Sequence, residues 1–271
     1  MACFLYFMGR LKQSVSAYLR HRLSVQSKYS LHSPFIYQFW AGIIRNKTSY
    51  PAYIRLESLR KELLKDERTI NRLDLGAGAR ADAPATKPVK VREIAKRSLV
   101  SPAKGRFLYK LVKANQPASI IELGTSLGLS ALYMAEAAPD ARIITVEGCP
   151  ETAALARSNF EKSGKENITV ITGAFGDKLG EALSLVPHPD MVFFDGNHRQ
   201  KPTLEYFEEC LPGLHSGSVA VFDDIHWSGE MEEAWKLIIA RPEVRVSIDL
   251  YYMGILYFRE ELSKEDFVLR F

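Results

Sequence analysis

Residues Ser119–Ser130 read S-I-I-E-L-G-T-S-L-G-L-S, and the fold turns on this stretch. A short apolar run, Ile120 and Ile121, ends in an acid, Glu122. Gly124 and Gly128 follow, spaced by small or hydroxylated residues that include Thr125 and Ser126. Leu127, Leu129, Leu132, Tyr133 and Ala135 then open a helical pattern. The outline is strand, tight turn, helix. A helix starting there directs unpaired N–H groups and a partial positive charge back over the strand end. Small turn residues let a ligand approach the main chain. The same outline also describes an ordinary βα connection, so the rest of the chain has to decide.

Downstream, apolar runs and helical patterns alternate. After Ile120–Leu123 and a helix over 127–138 comes a second strand, Arg142–Glu147, then a helix over Glu151–Lys162 and a third strand, Ile168–Thr172. A short helix follows Gly176. The fourth strand is Met191–Asp195, with a helix over Pro202–Cys210, and the fifth is Ser218–Asp223, with a helix over Glu230–Ile239. Val244–Leu250 and Tyr252–Phe258 are separated by too little chain for a crossover, so they pair antiparallel. The pattern predicts a doubly wound, Rossmann-like α/β fold: a seven-stranded, mostly parallel sheet over residues 116–271, closed by an antiparallel hairpin.

Ligands of such sheets bind beyond the carboxyl ends of the strands. The first, second, fourth and fifth strands end there in Glu122, Glu147, Asp195 and the pair Asp223 and Asp224. A carboxylate at a buried strand end is costly unless it is paired or bound. Glu147, placed after the first crossover, suits both hydroxyls of a ribose. The turn lacks G-x-G-x-x-G, the geometry that holds a pyrophosphate. An adenosyl cofactor without phosphates therefore fits better than a dinucleotide.

Leu73–Arg80, L-D-L-G-A-G-A-R, resembles a dinucleotide turn more literally, since Gly76, Gly78 and Ala81 satisfy G-x-G-x-x-A. Its preceding apolar run is minimal, and the residues after it are rich in Ala, Pro and Lys, with no acid-terminated strand. It reads as a connection or lid. Residues 1–115 otherwise read as a helical region: a helix over 4–24, an aromatic stretch Tyr29–Trp40 with Ser33 capping Pro34 and His32 packed beside rings, and helices over 50–66 and 91–114.

Composition bounds the function. Apolar residues make up 46% of the 271 and charged residues 25%, which allows a buried core. A net charge of +4 is too small to argue for nucleic acid. No Asp or Glu precedes Glu57, however, so the N-terminal arm is basic. Cys3, Cys149 and Cys210 form neither a disulfide framework nor a zinc pattern, and no run reaches a membrane span. A cytoplasmic protein is expected.

E-L-G-T-S-L-G-L-S, I-T-V-E, M-V-F-F-D-G-N-H and V-F-D-D, in that order, resemble the class I S-adenosylmethionine-dependent methyltransferases, and within them the small-molecule O-methyltransferases of the catechol and caffeoyl-CoA type. H-S-P-F near Ser33 and D-D-I-H-W near Trp227 are similar to uncharacterised bacterial predicted methyltransferases. The resemblance implies that Glu122, Gly124, Thr125, Ser126, Gly128 and Ser130 surround the methionine part of S-adenosylmethionine. It places Glu147 and Gly148 at the ribose, Ala174 and Phe175 beside the adenine, and Asp195 at the reacting centre. Phe175 is equally readable as simple packing. Asp195, Asp223 and Asp224 form a hard oxygen set suited to Mg²⁺, although relatives usually carry Asn at the Asp224 position, and a metal-free site is the alternative. His198 stands where the family has a lysine and is the candidate general base, against a reading as a surface loop residue. His226 and Trp227 are candidates for the acceptor pocket.

The expected function is methyl transfer to a hydroxyl of a small molecule. An RNA methyltransferase using the basic arm and a non-catalytic cofactor-binding scaffold are the alternatives. F-F-D-G-N-H replaces the N-P-P-[YFW] tetrapeptide of base-amino methyltransferases, which counts against nucleic acid. A homodimer through the aromatic N-terminal helix is a further expectation.

Overall fold

The computed structural model of the protein describes residues 18–26, 32–73 and 86–271. Residues 4–17 of the expected helix over 4–24, residues 29–31 of the aromatic stretch and residues 74–80 of the Gly-rich turn lie outside them.

Residues 18–24 form helix α1. Helix α2 (Pro34–Phe39) begins on its proline, as expected, and runs into a π turn over Trp40–Ile44. His32 is exposed rather than packed among rings. After α3 (Pro51–Leu63) the structure departs from the helical reading. Strands β1 (Thr69–Leu73) and β2 (Thr86–Lys90) pair antiparallel, outside the main sheet. Their sequences, TINRL and TKPVK, carry almost no alternation. Tertiary packing makes them strands: the cross-strand partners Ile70 and Val89 pack on a cluster of Leu63, Val91, Ile94, Ala95 and Leu127. The expected helix over 91–114 is two, α4 (Val91–Ser98) and α5 (Pro102–Asn115). Ser101 caps the second, accepting from the Lys104 N–H, and Pro102 occupies its first turn, where no N–H is needed.

From there the alternation is as read. β3 (Ser119–Leu123), α6 (Leu129–Ala137), β4 (Arg142–Glu147), α7 (Pro150–Lys162), β5 (Ile168–Thr172), α8 (Phe175–Leu185), β6 (Met191–Phe194), α9 (Gln200–Cys210), β7 (Val219–Asp223), α10 (Gly229–Ile239), β8 (Val246–Asp249) and β9 (Met253–Tyr257) come in order. One strand escaped the sequence: β10 (Glu265–Val268), half polar, adds parallel to β8 and makes the sheet eight-stranded rather than seven-stranded. The order is β10-β8-β9-β7-β6-β3-β4-β5, and β9 runs antiparallel to both β7 and β8. The strands of the centre, SIIEL, MVFF and VAVFD, are buried along nearly their whole length. Parallel strands covered on both faces require such unbroken apolar runs.

Two compact units are distinguished by their internal packing. One is Gln38–Pro189, carrying β3, β4 and β5. The other joins the described residues up to Tyr37 with Asp190–Phe271. In the second, Phe194 and Phe222 are register partners whose rings stack at 4.4 Å, and Trp235 meets Phe222 edge-on. Gly254 lies opposite Phe222, and a Cβ there would stand 2.6 Å from the Trp235 ring.

Candidate functional site

In the Gln38–Pro189 unit, the β3–α6 turn is built by backbone conformations that glycine permits. Gly124 has φ 115° and Gly128 φ 86°, while Ser126 takes the left-handed region at φ 48°. The Gly124 and Thr125 N–H groups both donate to the Val146 carbonyl, which fixes the turn against β4. Gly128 is also required by packing. A Cβ on it would lie 2.4 Å from the Phe160 ring of α7.

Glu122 is fully buried. Its Oε2 accepts from the Thr145 hydroxyl at 2.5 Å, Thr145 in turn meets the Thr125 hydroxyl at 2.6 Å, and Ser130 adds a further hydrogen bond. Burial nevertheless pushes its carboxyl up to about 7, because desolvation penalises the anion more than the hydroxyls reward it. Glu122 Oε1 and the Ser126 hydroxyl are both buried without a hydrogen-bond partner. Buried polar atoms of folded proteins almost always have a protein, water or ligand partner. Thr125, Ser130 and Thr145 therefore hold Glu122, and Thr145 was not singled out from sequence because it sits inside an otherwise ordinary strand.

Glu147 at the end of β4 does more than wait for a ligand. Its Oε2 accepts from the Ser126 N–H at 2.8 Å and its Oε1 from the Cys149 N–H at 2.9 Å. Burial raises its pKa, opposed by the N–H groups of Cys149, Ser126 and Gly148 and by the charge of Arg72. A carboxylate offers about four lone-pair sites, so these N–H groups leave acceptor capacity for a further donor. Ala174 caps α8 and Phe175 is its first residue, partly buried.

The other unit carries the remaining predicted residues. Asp195 and His198 lie in the loop after β6, and His198 Nε2 stands 3.8 Å from Asp195 Oδ1, an ion-pair distance too long for a hydrogen bond. Asp223 is buried at the end of β7, and Asp224 takes φ 54° with its N–H donated to the Tyr252 carbonyl. Among the described residues no three His, Cys, Asp or Glu side chains are gathered so that they could hold a metal ion. Asp195, Asp223 and Asp224 thus stand at two strand ends without forming the expected cation cage. Lys201 is exposed, 3.7 Å from Glu205.

His226 is not open to an acceptor, contrary to expectation. Its Nε2 donates to Asp249 Oδ2 at 2.8 Å and its Nδ1 to Glu232 Oε1 at 3.1 Å. His21 of α1 reaches the other Asp249 oxygen at 3.2 Å, and the Tyr251 ring stacks on His226 at 5.0 Å. Both nitrogens face carboxylates, an arrangement that favours the imidazolium. Burial opposes that charge, but the hydrogen bonds and charges of Asp249 and Glu232 outweigh it and raise the His226 pKa. A raised folded pKa gives stability that is complete below the ordinary value of about 6.5 and is lost as pH rises through the folded value. His226→Gln is expected to lower the stability by about 1–3 kcal/mol at pH 6, with a smaller loss at pH 9. Urea melts of both proteins at the two pH values read this directly, and an equal loss at both would refute the charged bridge.

With this geometry in place, similarity to known proteins gives the chain its class. The family described as O-methyltransferase matches residues 86–246, more than half of the chain. The chain belongs to the O-methyltransferase family. It is 35% identical over 135 residues to a catechol O-methyltransferase of Niastella koreensis, covering 49% of this chain and 60% of that protein. It is 33% identical over 163 residues to a probable O-methyltransferase of Mycobacterium tuberculosis, covering 57% of this chain and 69% of that protein. The chain thus spans about six tenths of the first relative's length. In fold it matches the SAH-bound methyltransferase of Podospora anserina, with a TM-score of 0.59, 16% identity, and coverage of 87% of this chain and all of that one. No helix among the described residues is long and apolar enough to cross a membrane.

Proposed function

We propose that the protein transfers a methyl group from S-adenosylmethionine to a hydroxyl of a small molecule. The observation that carries this reading is Glu122: a wholly buried acid, poised near neutrality, with one oxygen unpartnered beside a Gly turn. An amino-acid ammonium supplies the missing donor, and the Ser126 hydroxyl suits the same polar end. Glu147, whose backbone donors leave it acceptor capacity, takes the ribose hydroxyls. Ala174 and Phe175 are assigned to the adenine. S-adenosylmethionine supplies an electrophilic methyl on a sulfonium.

The residues of the chain have the remaining work. His198 accepts the acceptor's hydroxyl proton at Nε2, and Asp195 beside it stabilises the imidazolium that forms. The new O–CH₃ bond forms as the S–CH₃ bond breaks, and the proton passes from His198 to solvent. Among the described residues no three acids such as Asp195, Asp223 and Asp224 are gathered for a metal ion, and the deprotonation is assigned here to His198.

Binding tests the reading. An ammonium beside Glu122 drives its proton off, so calorimetry near pH 7 in buffers of different ionisation heat should show release of a fraction of a proton per cofactor. No binding at all would end the proposal. With a panel of phenols as acceptors, His198→Ala should lower kcat by about 100-fold, the usual scale of general-base loss, while cofactor Kd stays within about twofold. Excess chelator should leave turnover unchanged; loss that Mg²⁺ restores would return the metal to the site.

A further inference from the structure

Helix α1 buries one residue and turns the others outward. His21 is buried, with its Nε2 3.2 Å from Asp249 Oδ1, while Tyr18, Leu19, Arg20, Arg22 and Leu23 are exposed. At about 3.6 residues per turn, Leu19 and Leu23 lie roughly 160° from His21, with Arg20 and Arg22 roughly 100° to either side. The outward centre of α1 is thus apolar, Leu19 being 56% exposed and Leu23 88%. The two leucines are four residues apart and adjoin on the helix surface. Arg22 is braced beside them, its Nη1 donating to the Tyr18 hydroxyl at 3.2 Å. The surface next to α1 continues the pattern. The Tyr251 ring lies 5.1 Å from that of Tyr18 and 4.8 Å from that of Tyr252, and the His226 ring lies 6.0 Å from that of His21. Tyr252 and Trp227, which follows His226, are both exposed.

We propose that this face, α1 with Trp227 and Tyr252, binds the surface of an anionic lipid bilayer. Each class of residue has a place there. Leu19 and Leu23 enter the boundary between headgroups and acyl chains, and Arg20 and Arg22 reach up beside them to lipid phosphates. Trp and Tyr favour that depth because each has an apolar body and a polar tip. The charge matches the partner: no acid precedes Glu57, and residues 1–17 add Arg10 and Lys12 to an apolar run of Phe4, Leu5, Tyr6, Phe7 and Met8. The acids bonded to α1 are already engaged, Asp249 by both His21 and His226 and Glu232 by His226 as well as Arg20. A nucleic acid fits less well, because its phosphates would meet leucines at the centre of the face. A second copy docked face to face would set Arg20 and Arg22 against their own duplicates, and like charges repel. The inference is independent of the methyl-transfer reading.

Co-sedimentation of the full chain with vesicles tests this. Vesicles of equal parts phosphatidylcholine and phosphatidylglycerol should bind it at least about tenfold more tightly than phosphatidylcholine alone, and added salt should narrow the difference. A basic residue at such a surface strengthens binding by roughly fivefold, so Arg20→Gln with Arg22→Gln should weaken it by at least about tenfold. Leu19→Gln with Leu23→Gln should do the same by removing the apolar contact. Both leucines are exposed, so this double variant should melt like wild type. Trp227 emission should shift to the blue on the anionic vesicles, and Trp227→Phe should remove the shift, since Trp235 is already buried. Absence of binding, or equal binding to both vesicles, overturns the proposal. Binding that survives the leucine substitutions, or transfer RNA held more tightly than the vesicles, overturns it in favour of a polyanion. A wild-type dimer that the leucine variant breaks overturns it in favour of a second copy.

Discussion

Glu147→Gln should weaken S-adenosylmethionine binding by about 100-fold or more. Two hydroxyl donors to an ionised acceptor are worth about 1.5–3 kcal/mol each, and tenfold in Kd is about 1.4 kcal/mol. The amide keeps the shape of the side chain but not its charge, and it puts an NH₂ where either the Ser126 or the Cys149 N–H now donates. One of those donors loses its acceptor, so the turn loosens as well. In a melt at a cofactor concentration of about 100 wild-type Kd, the stabilisation should fall from about 2.7 kcal/mol to about 0.4 kcal/mol. A variant that melts with the full cofactor-induced rise would show that the ribose lies elsewhere.

Gly128→Ala is the substitution with the largest expected effect on stability. At φ 86° an L side chain costs about 1–2 kcal/mol. Its Cβ would also stand 2.4 and 2.7 Å from atoms of the Phe160 ring. Phe160 is buried on α7, so the ring has little room to retreat, and overpacking costs about 1–3 kcal/mol more. The expected loss is about 2–5 kcal/mol in a denaturant melt without ligand. The double variant Gly128→Ala with Phe160→Leu should recover part of the loss. If the single variant melts like wild type, the glycine is not there for packing.

The sequence made the parallel core legible because strands covered on both faces must be continuous apolar runs, and SIIEL, RIITVE and MVFF are such runs. The short link between β8 and β9 announced their antiparallel pairing. What escaped was structure made by partners distant in the chain. TINRL and TKPVK become strands because Ile70 and Val89 have a core to rest on, and EDFV because β8 offers an edge. At the site, the strand-end acids pointed to a polar ligand, and Glu122 Oε1 has no hydrogen-bond partner within the protein. Spacing could not reveal that Glu147 already grips the Ser126 and Cys149 amides, nor that His226 is spoken for by Asp249 and Glu232. Those are facts about a folded neighbourhood, and Asp249 lies 23 residues from His226.

The discontinuous unit has a consequence for how the molecule is made. Gln38–Pro189 is one uninterrupted length of chain, and its internal contacts can all form once Pro189 has been synthesised. The companions of α1 come much later: Asp249 for His21, Glu232 for Arg20, and Val268 for the N–H of Gln26. On a translating ribosome α1 must therefore wait, its imidazole and guanidinium hydrated, until Val268 has emerged. The synthesis of β8 to β10, rather than of the residues that follow α1, decides when α1 finds its place.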